Sequence, residues 1–287
     1  MSTTRLKLAI QKSGRLLDDS MQLLRECGIR IDNGRDQLRA SARNFPLDVL
    51  FLRNSDIPQY IEDGVVHVGI IGENTAIEKQ KAMHKKMHLG FARCRLSIAV
   101  PRNAVYEGIQ SLEGKRIATS YPNTLKGFLA ERGVKAEIHE ISGSVEIAPN
   151  IGLAEAVCDL VSSGSTLFQN GLEEKEVLLR SDACLFACPG LGPEENTILD
   201  ELIFRIKSVL EARQNRYLLM NAPSDQVEAI IKILPGMKSP TVMPLALEGW
   251  CSIHTVINED RFWEIIDQLK MAGAQGILVI PIEKMII

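Results

Sequence analysis

Short apolar runs, polar turns and amphipathic stretches alternate along the first two thirds of the chain. Residues 6–11 have the pattern of a buried strand, a polar turn follows, and the apolar spacing of residues 16–27 predicts a helix that ends at Gly28. Further strand-like runs alternate with helical stretches such as residues 123–132. These runs are residues 49–52, 65–71, 96–100, 116–119, 136–141 and 156–161. Such alternation predicts an α/β protein with mainly parallel strands.

The same pattern divides the chain into three parts. Residues 95–182 carry their own series of strand and helix signals, so we expect a second lobe inserted into a first lobe formed by residues 1–94 and completed by about 183–214. A cleft would lie between the two lobes. A long amphipathic helix is predicted over residues 196–214. From 215 to 287 the order of elements is βαββαβ, which predicts a separate ferredoxin-like (ACT-like) domain.

Composition excludes several classes of protein. The 287 residues are 45% hydrophobic and 24% charged, as in an ordinary globular protein rather than a disordered one. The net charge of −3 leaves no domain-wide positive field for a nucleic acid, so we expect any bound phosphate to belong to a small molecule. The six cysteines lack the spacing of a zinc motif and the density of a disulfide scaffold. The apolar patch near the N-terminus is too short for a signal peptide or a membrane span, which predicts a cytoplasmic protein without membrane contact.

The strongest local signal for chemistry is a hydroxyl-rich segment at the end of an apolar strand. Small residues let backbone amides approach phosphate oxygens, and the hydroxyls donate further hydrogen bonds. Asp159, at the strand end, is placed to accept hydrogen bonds from sugar hydroxyls. The alternative is a serine-rich turn that only caps a helix. The segment consists of Ser162, Ser163, Gly164, Ser165 and Thr166.

A second acidic residue follows another small-residue loop. Glu146 comes one turn into a predicted helix after residues 142–144, where its carboxylate would be able to hold ribose hydroxyls. Alternatively, Glu146 is an acid at a helix N-terminus that only complements the helix dipole.

Charged residues follow three strands of the first lobe. Lys12 and Arg15 lie in the turn after the first strand and Arg53 ends another. Glu73 follows a third strand. Because α/β sheets bind ligands at the carboxyl ends of their strands, we expect these side chains to converge at one edge, where the cations are candidates for binding a triphosphate. Taken singly, each cation also fits a solvated surface charge.

The sequence signals for metal-binding histidines and for catalytic nucleophiles are weaker. His84 and His88 have the i, i+4 spacing of a metal-binding pair, but the lysines around them would repel a cation, so a solvated basic face is the preferred interpretation. The sequence has no HExxH motif, nucleophile elbow or Cys-His constellation, and we therefore predict no covalent catalytic residue.

Taken together, these segments resemble the ATP phosphoribosyltransferase family along the whole catalytic portion of the chain. Their order and spacing match as well. The last seventy or so residues resemble the C-terminal regulatory domain found only in the long form of that family. The segments that carry the resemblance are residues 9–16, 64–74, 94–97, 116–122, 143–146, 159–166 and, at the C-terminus, 280–285.

This resemblance implies a fold like the type II periplasmic binding proteins, with the active site between two lobes. It implies attack of adenine N1 of ATP on the anomeric carbon of phosphoribosyl pyrophosphate, giving phosphoribosyl-ATP and diphosphate in the first committed step of L-histidine biosynthesis. It also implies a magnesium requirement, feedback inhibition by histidine and assembly into homodimers and hexamers. The metal ligands are not implied.

Residue roles follow from the resemblance position by position. His67 departs from the family pattern, which usually has Asp there, so no role is assigned to it. Phosphoribosyl pyrophosphate is assigned to Glu146, Asp159, Ser162, Ser163, Gly164, Ser165 and Thr166; ATP to Lys12, Gly14, Arg15, Arg53, Glu73, Arg95 and Tyr121; and inhibitory histidine to Leu245 and Ala274.

Two other functions share parts of this pattern. A solute-binding protein would have the same two-lobed fold, but such proteins are normally exported and this sequence shows no signal peptide. A catalytically inactive regulatory subunit or amino-acid sensor would depend on the C-terminal module, and the presence of both the cationic and the hydroxyl-rich loops argues against it.

Overall fold

A computed structural model describes residues 4–32, 38–234 and 239–286. Its strands are β1 (Leu6–Gln11), β2 (Arg39–Ser41), β3 (Leu47–Leu52), β4 (Val68–Gly72), β5 (His84–His88), β6 (Cys94–Pro101), β7 (Arg116–Thr119), β8 (Glu137–Glu140), β9 (Ala156–Val161), β10 (Leu172–Ser181), β11 (Ala183–Ala187), β12 (Asn215–Pro223), β13 (Thr241–Pro244), β14 (Trp250–Asn258) and β15 (Gln275–Pro281). Its helices are α1 (Arg15–Glu26), α2 (Ile57–Glu62), α3 (Glu73–Lys79), α4 (Pro122–Glu131), α5 (Ser165–Gln169), α6 (Pro193–Gln214), α7 (Val227–Ile233) and α8 (Glu259–Met271).

The chain forms two compact units. One holds the chain up to Arg25 together with Ile29–Leu199, and the other holds Glu26–Gly28 and the chain from Asp200 onward. Helix α6 begins in the first unit and ends in the second.

The first sheet of the larger unit has the strand order β2-β3-β1-β4-β11-β5. Apolar runs form its centre, where β1 pairs in parallel with both β3 and β4. Helix α2 packs closely against β4 at Gly69, because a Cβ there would lie 2.7 Å from Ile57 Cγ2. We call this sheet and its helices lobe I. Strand β11 joins it only after the chain has passed through the second sheet, which makes the second sheet an insertion.

The second sheet, with its helices, forms lobe II and has the order β10-β6-β9-β7-β8. Strand β7 is parallel to β8 and β9, and β6 is antiparallel to β9 and β10. Apolar side chains pack on both faces, as expected for strands that are buried on both sides.

The prediction of mainly parallel strands is wrong. Strand β1 is parallel to β3 and β4, and β7 is parallel to β8 and β9. The pairs β2–β3, β4–β11, β5–β11, β6–β9 and β6–β10 are antiparallel. Both β5 (HKKMH) and most of β10 (LEEKEVLLRS) are rich in charged residues, so neither has the apolar run that marks a strand.

The smaller unit contains the predicted βαββαβ module. Its antiparallel sheet has the order β13-β14-β12-β15, which confirms the ferredoxin-like prediction. Alternate residues of β12, including Leu218 and Met220, are fully buried in a core shared with α7 and α8. Residues on the opposite face of the sheet, such as Tyr217, remain partly exposed.

Candidate functional site

A cavity of about 470 Å³ lies in the cleft between the two lobes. We call it the interlobe pocket. Its walls are mostly polar, and both lobes contribute to them. The lining residues from lobe I are Gln11, Lys12, Ser13, Arg53, Asn54, Ser55, Thr75, Glu78 and Lys79, and those from lobe II are Ser120, Tyr121, Glu140, Ile141 and Ser142.

Adjacent parallel strands bring two cations of the interlobe pocket together. Strands β1 and β3 end side by side, and the backbone N–H of Lys12 donates to the carbonyl oxygen of Leu52 at 2.8 Å. Lys12 and Arg53 therefore follow neighbouring strand ends, and both side chains are exposed. The predicted convergence of these two cations at one sheet edge agrees with this geometry.

Glu78 links the lobes at the wall of the interlobe pocket. It lies on α3 and is only 5% exposed. Its carboxylate accepts hydrogen bonds from the backbone N–H groups of Asn123 and Thr124, both at 2.9 Å, and from Thr124 Oγ1 at 2.7 Å. These N–H groups belong to the first turn of α4, which lacks a side-chain cap from its own N-cap residue, Tyr121. A lobe I carboxylate thus caps a lobe II helix.

Tyr121 takes part in a second contact between the lobes. Its hydroxyl oxygen accepts a hydrogen bond from Asn74 Nδ2 at 3.1 Å, and Ser181 Oγ donates to Asn74 Oδ1 at 2.9 Å. Burial raises the pKa of the Tyr121 phenol well above its ordinary value, so the hydroxyl is neutral and keeps a proton to donate.

A second cavity, of about 410 Å³, surrounds the hydroxyl-rich segment. We call it the hydroxyl pocket. Gly164, with φ +81°, forms the turn into α5, and the four hydroxyl residues of the segment are exposed. The lining residues are Arg15, Glu146, Asp159, Leu160, Val161, Ser162, Ser163, Gly164, Ser165, Thr166 and Leu167.

Two carboxylates face the hydroxyl pocket. Asp159 is half-buried, and burial raises its pKa from 3.8 to about 6, with a smaller contribution from the negative charge of Glu146. The backbone N–H of Leu160 donates to Asp159 Oδ1 at 2.8 Å and partly offsets this shift. A cation or hydrogen-bond donor bound beside Asp159 and Glu146 would therefore favour the ionised form of Asp159.

Arg95 supports the hydroxyl-rich segment from outside both pockets. Its guanidinium binds both carboxylate oxygens of Glu174 at 2.5 Å and donates to the carbonyl oxygen of Ser162 at 3.0 Å. This ion pair lowers the pKa of Glu174. Arg95 thus fixes the start of the segment.

The assigned residues fall into three groups in the structure. All those assigned to phosphoribosyl pyrophosphate line the hydroxyl pocket, and Lys12, Arg53 and Tyr121 line the interlobe pocket. Arg15, assigned to ATP, lines the hydroxyl pocket instead. Gly14, with φ +83°, lies in the turn between β1 and α1, after Lys12 and before Arg15. Glu73 and Arg95 line neither pocket, and Leu245 and Ala274 belong to the smaller unit.

Several lining residues carried no recognisable signal in the sequence. Thr75 and Glu78 lie on α3, and Asn54 follows Arg53 in a loop. Asn54 Oδ1 is buried without a hydrogen-bond partner. The one usable hint was indirect, because the start of α4 at Pro122 has no Ser, Thr, Asp or Asn immediately before it and so needs a cap from elsewhere.

The histidines lie outside both pockets. His84 and His88 are exposed on strand β5, which agrees with the preferred interpretation of a solvated basic face, and His88 Nδ1 contacts Asp182 Oδ1 at 2.7 Å. His67 precedes β4, at the end of that strand opposite Glu73, and its Nδ1 accepts from the backbone N–H of Lys7 at 3.3 Å. Burial lowers the pKa of His67, and the residue lines neither pocket.

Comparison with known proteins assigns the family. A family model described as ATP phosphoribosyltransferase matches residues 53–208, and one described as HisG, C-terminal domain, matches residues 212–284. An ATP phosphoribosyltransferase from Cytophaga hutchinsonii is 57% identical over 286 residues, covering 100% of both chains. One from Bacteroides fragilis is 54% identical over 282 residues, covering 98% of this chain and 100% of the relative.

The chain belongs to the ATP phosphoribosyltransferase family. A solved structure of the same family, the ATP phosphoribosyl transferase (HisG:HisZ) complex from Thermotoga maritima, aligns with a TM-score of 0.60 and 26% identity, covering 70% of this chain and 98% of that one. The predicted family and the two-lobed fold with its C-terminal domain are confirmed. Within the described ranges, no helix is long and apolar enough to cross a membrane.

The raised pKa of Asp159 predicts how stability depends on pH. In the folded protein Asp159 ionises near pH 6, but in the unfolded chain it ionises near 3.8. Stability is therefore lost as pH rises from about 4 to about 6, because the unfolded state gives up its proton first. Asp159→Asn removes this loss, so the substrate-free variant should be more stable than wild type by about 2 kcal/mol at pH 7 and unchanged at about pH 4.

Denaturant unfolding followed across this pH range measures the difference. Asp56→Asn, which changes an exposed aspartate of lobe I, is the matched control and should keep the wild-type profile. If Asp159→Asn and the control have the same profile, Asp159 has an ordinary pKa and the charge argument fails.

Proposed function

We propose that this protein joins ATP to phosphoribosyl pyrophosphate, giving phosphoribosyl-ATP and diphosphate. In this reaction the lone pair of adenine N1 forms a bond to the anomeric carbon, and the bond from that carbon to the diphosphate oxygen breaks. The electron pair of the broken bond leaves with diphosphate. The product is the one that the first committed step of histidine biosynthesis requires.

One observation carries this proposal. Two polar cavities lie in the same unit, and both receive residues from the single turn between β1 and α1. Lys12 contributes to the interlobe pocket, and Arg15, three residues later, contributes to the hydroxyl pocket. Two anionic substrates bound in these cavities would meet near this turn. Such proximity is what a transfer between two bound molecules needs.

The interlobe pocket suits ATP. Lys12 and Arg53 would bind phosphate oxygens of the triphosphate. The neutral Tyr121 hydroxyl would donate a hydrogen bond to the nucleotide. Gly14 would let the turn pass close to the phosphates. The assignments of Glu73 and Arg95 to ATP stay predictions, and the contact of Arg95 with the Ser162 carbonyl supports an indirect role instead.

The hydroxyl pocket suits phosphoribosyl pyrophosphate. The exposed hydroxyls of the segment from Ser162 to Thr166 would bind the 5′-phosphate, with Gly164 allowing close approach of the backbone. Asp159 and Glu146 would accept hydrogen bonds from the ribose hydroxyls. Arg15 would balance charge that develops on the departing diphosphate. Because the leaving group departs as a stable anion and N1 is itself the nucleophile, no protein nucleophile is needed.

Magnesium fits the donors of the hydroxyl pocket. Asp159 and Glu146 interact closely enough for the charge of one to raise the pKa of the other, and paired carboxylate oxygens are ligands that magnesium prefers. These two residues would hold magnesium that arrives with phosphoribosyl pyrophosphate. When bound, magnesium would neutralise part of the negative charge of the diphosphate.

The C-terminal module supports self-association. One face of its sheet packs on α7 and α8, but the other carries large apolar side chains that are partly exposed. Strand register pairs Tyr217 with Ile280 and Leu219 with Leu278, so these side chains lie on one face of the sheet. Tyr217 is 37% exposed, Ile280 41% and Leu278 53%. An apolar sheet face of this kind favours pairing with a second copy, so we infer homodimers and hexamers.

Feedback inhibition by histidine is assigned to the same module. Leu245 follows β13 at one edge of the sheet, and Ala274 precedes β15 at the other. With β14 and β12 between them, the two edges are separated by three strand spacings, roughly 14 Å. One histidine would hardly touch both residues of a single chain. A pocket at the junction of two copies would bring Leu245 of one together with Ala274 of the other. The cytoplasmic location stays a sequence-based prediction.

The first test is catalytic. Purified protein with magnesium, ATP and phosphoribosyl pyrophosphate should form phosphoribosyl-ATP, identified by mass and by absorbance. Thr166→Ala removes one hydroxyl donor of the hydroxyl pocket, so the KM for phosphoribosyl pyrophosphate should rise by about 5- to 20-fold, with the KM for ATP within about twofold of wild type.

Thr124→Ala is unsuitable as a control because Thr124 contacts Glu78. Thr197 is an exposed residue of α6 that lines neither pocket, so Thr197→Ala should behave as wild type. Binding of both substrates without product would reject the enzyme and favour a solute-binding protein. Equal effects of Thr166→Ala on both KM values would show that the hydroxyl pocket is assigned to the wrong substrate.

The second test concerns histidine. Leu245→Ala should raise the histidine concentration for half-inhibition by at least about tenfold, with the uninhibited rate within about twofold of wild type, because a binding contact is lost outside both pockets. Leu247→Ala, in the same loop and 64% exposed, is the matched control. Ala274→Leu is a poorer probe because Ala274 is 5% exposed in the core of the module, where a larger side chain would disturb packing. Wild-type inhibition in Leu245→Ala would exclude Leu245 from the histidine site.

A further inference from the structure

Four potential metal ligands meet in lobe I, outside both pockets. Glu73 begins α3, His88 ends β5, and Asp182 and Cys184 flank the start of β11. Each offers one ligand atom, and in the part of the chain that the structure describes these four atoms all lie within 4.8 Å of one another. We call these residues the hinge cluster, because both connections between the lobes start or end beside them: the segment between β5 and β6, and residue 182 between β10 and β11.

Distances within the hinge cluster are close to those of a four-coordinate ion. Asp182 Oδ1 lies 2.7 Å from His88 Nδ1, Cys184 Sγ lies 3.3 Å from His88 Nδ1, and Cys184 Sγ lies 3.6 Å from Asp182 Oδ1. In a tetrahedral zinc site, with bonds of about 2.0 Å to N or O and about 2.3 Å to S, ligand atoms are separated by about 3.3 to 3.6 Å. A shift of well under 1 Å would therefore give three ligands this geometry, and Glu73 would supply the fourth.

A positive charge already lies beside these ligands. Lys85 Nζ is 2.7 Å from Glu73 Oε1 and 3.2 Å from His88 Nε2. Two carboxylates and a thiol around a single ammonium group create a site that attracts cations. The same ammonium repels a metal ion at short range, so Lys85 sets the affinity of the cluster.

We propose that Glu73, His88, Asp182 and Cys184 form a zinc site at the base of the interlobe connections. The donor set of imidazole, thiolate and carboxylate favours Zn²⁺ over Mg²⁺ or Ca²⁺, because Mg²⁺ and Ca²⁺ prefer oxygen ligands alone. On binding, the Cys184 thiol loses its proton to solvent and its sulfur bonds to the ion. The proton on His88 Nδ1 moves to Nε2. Nδ1 is then free to bind the ion, and Nε2 no longer accepts a hydrogen bond from Lys85.

Zinc at this position would stabilise the edge of lobe I from which both connections to lobe II start. The ion would tie α3, β5 and β11 together where the chain leaves lobe I and where it returns. An ion that binds the folded state and not the unfolded state stabilises the fold by an amount that grows with the logarithm of its concentration above Kd, so zinc should also raise the melting temperature.

Full-length protein stripped of metal by a chelator, then titrated with Co²⁺ and afterwards with Zn²⁺, tests this site. One Co²⁺ per chain should give the strong visible bands of four-coordinate cobalt and a thiolate-to-cobalt charge-transfer band, and Zn²⁺ should displace it. Cys184→Ser should abolish the charge-transfer band. His88→Gln should weaken binding by at least about 100-fold, and Lys85→Gln should tighten it by at least about fivefold.

Matched controls come from the same strands. His84→Gln on β5 and Cys188→Ser just after β11 change the same residue types outside the hinge cluster and should bind Co²⁺ as wild type does. Circular dichroism checks that each variant is folded, and His88→Gln, whose side chain is 53% exposed, is the variant least dependent on packing. No stoichiometric Co²⁺ band in wild type, or wild-type binding by a folded His88→Gln, would overturn the proposal.

Discussion

The geometry of the cleft depends on one buried carboxylate. Glu78 extends from α3 of lobe I and caps the first turn of α4 in lobe II through the N–H groups of Asn123 and Thr124. A helix N-terminus whose N–H groups are partly shielded from water and left uncapped costs free energy, and α4 has no side-chain cap from its own N-cap residue. The capping therefore holds the two lobes together at a fixed distance, right at the wall of the interlobe pocket. Tyr121, next to this turn, is held by Asn74 in the same region.

Given this spacing, the turn between β1 and α1 can serve both cavities. Lys12 faces one and Arg15 the other, although only three residues separate them. The hydroxyl pocket also holds two carboxylates, and Asp159 keeps a raised pKa as a result of burial and of the charge of Glu146. Ionisation of Asp159 therefore lowers the stability of the folded protein at neutral pH. Binding of a partner that carries positive charge or hydrogen-bond donors would restore this stability. Such a compromise between stability and binding is typical of functional sites.

Sequence could predict the parts of this site that depend on local pattern. The hydroxyl-rich segment was recognisable because small residues and hydroxyls follow an apolar strand. Lys12 and Arg53 converge because parallel strands end at the same sheet edge. Whether Arg15 lines one pocket or the other depends on the direction in which α1 leaves the turn. No local sequence pattern predicts that direction. Glu78 was missed for a similar reason, since its partners are backbone groups some 45 residues away. Charged strands such as β5 lack an apolar run, so no sequence signal indicated that His88 lies on a strand beside β11.

Amide hydrogen exchange at Asn123 and Thr124, compared between wild type and Glu78→Gln, tests the role of Glu78 most directly. The substitution keeps the side-chain volume and one acceptor oxygen, but it loses the charge and turns an NH₂ group toward one of the two N–H donors. Exchange at these two amides should accelerate by about 5- to 100-fold, the equivalent of about 1–3 kcal/mol, with little change in the strands of either lobe. Unchanged exchange at Asn123 and Thr124 in a folded Glu78→Gln variant would contradict the account, because α4 would then be held in place without the carboxylate.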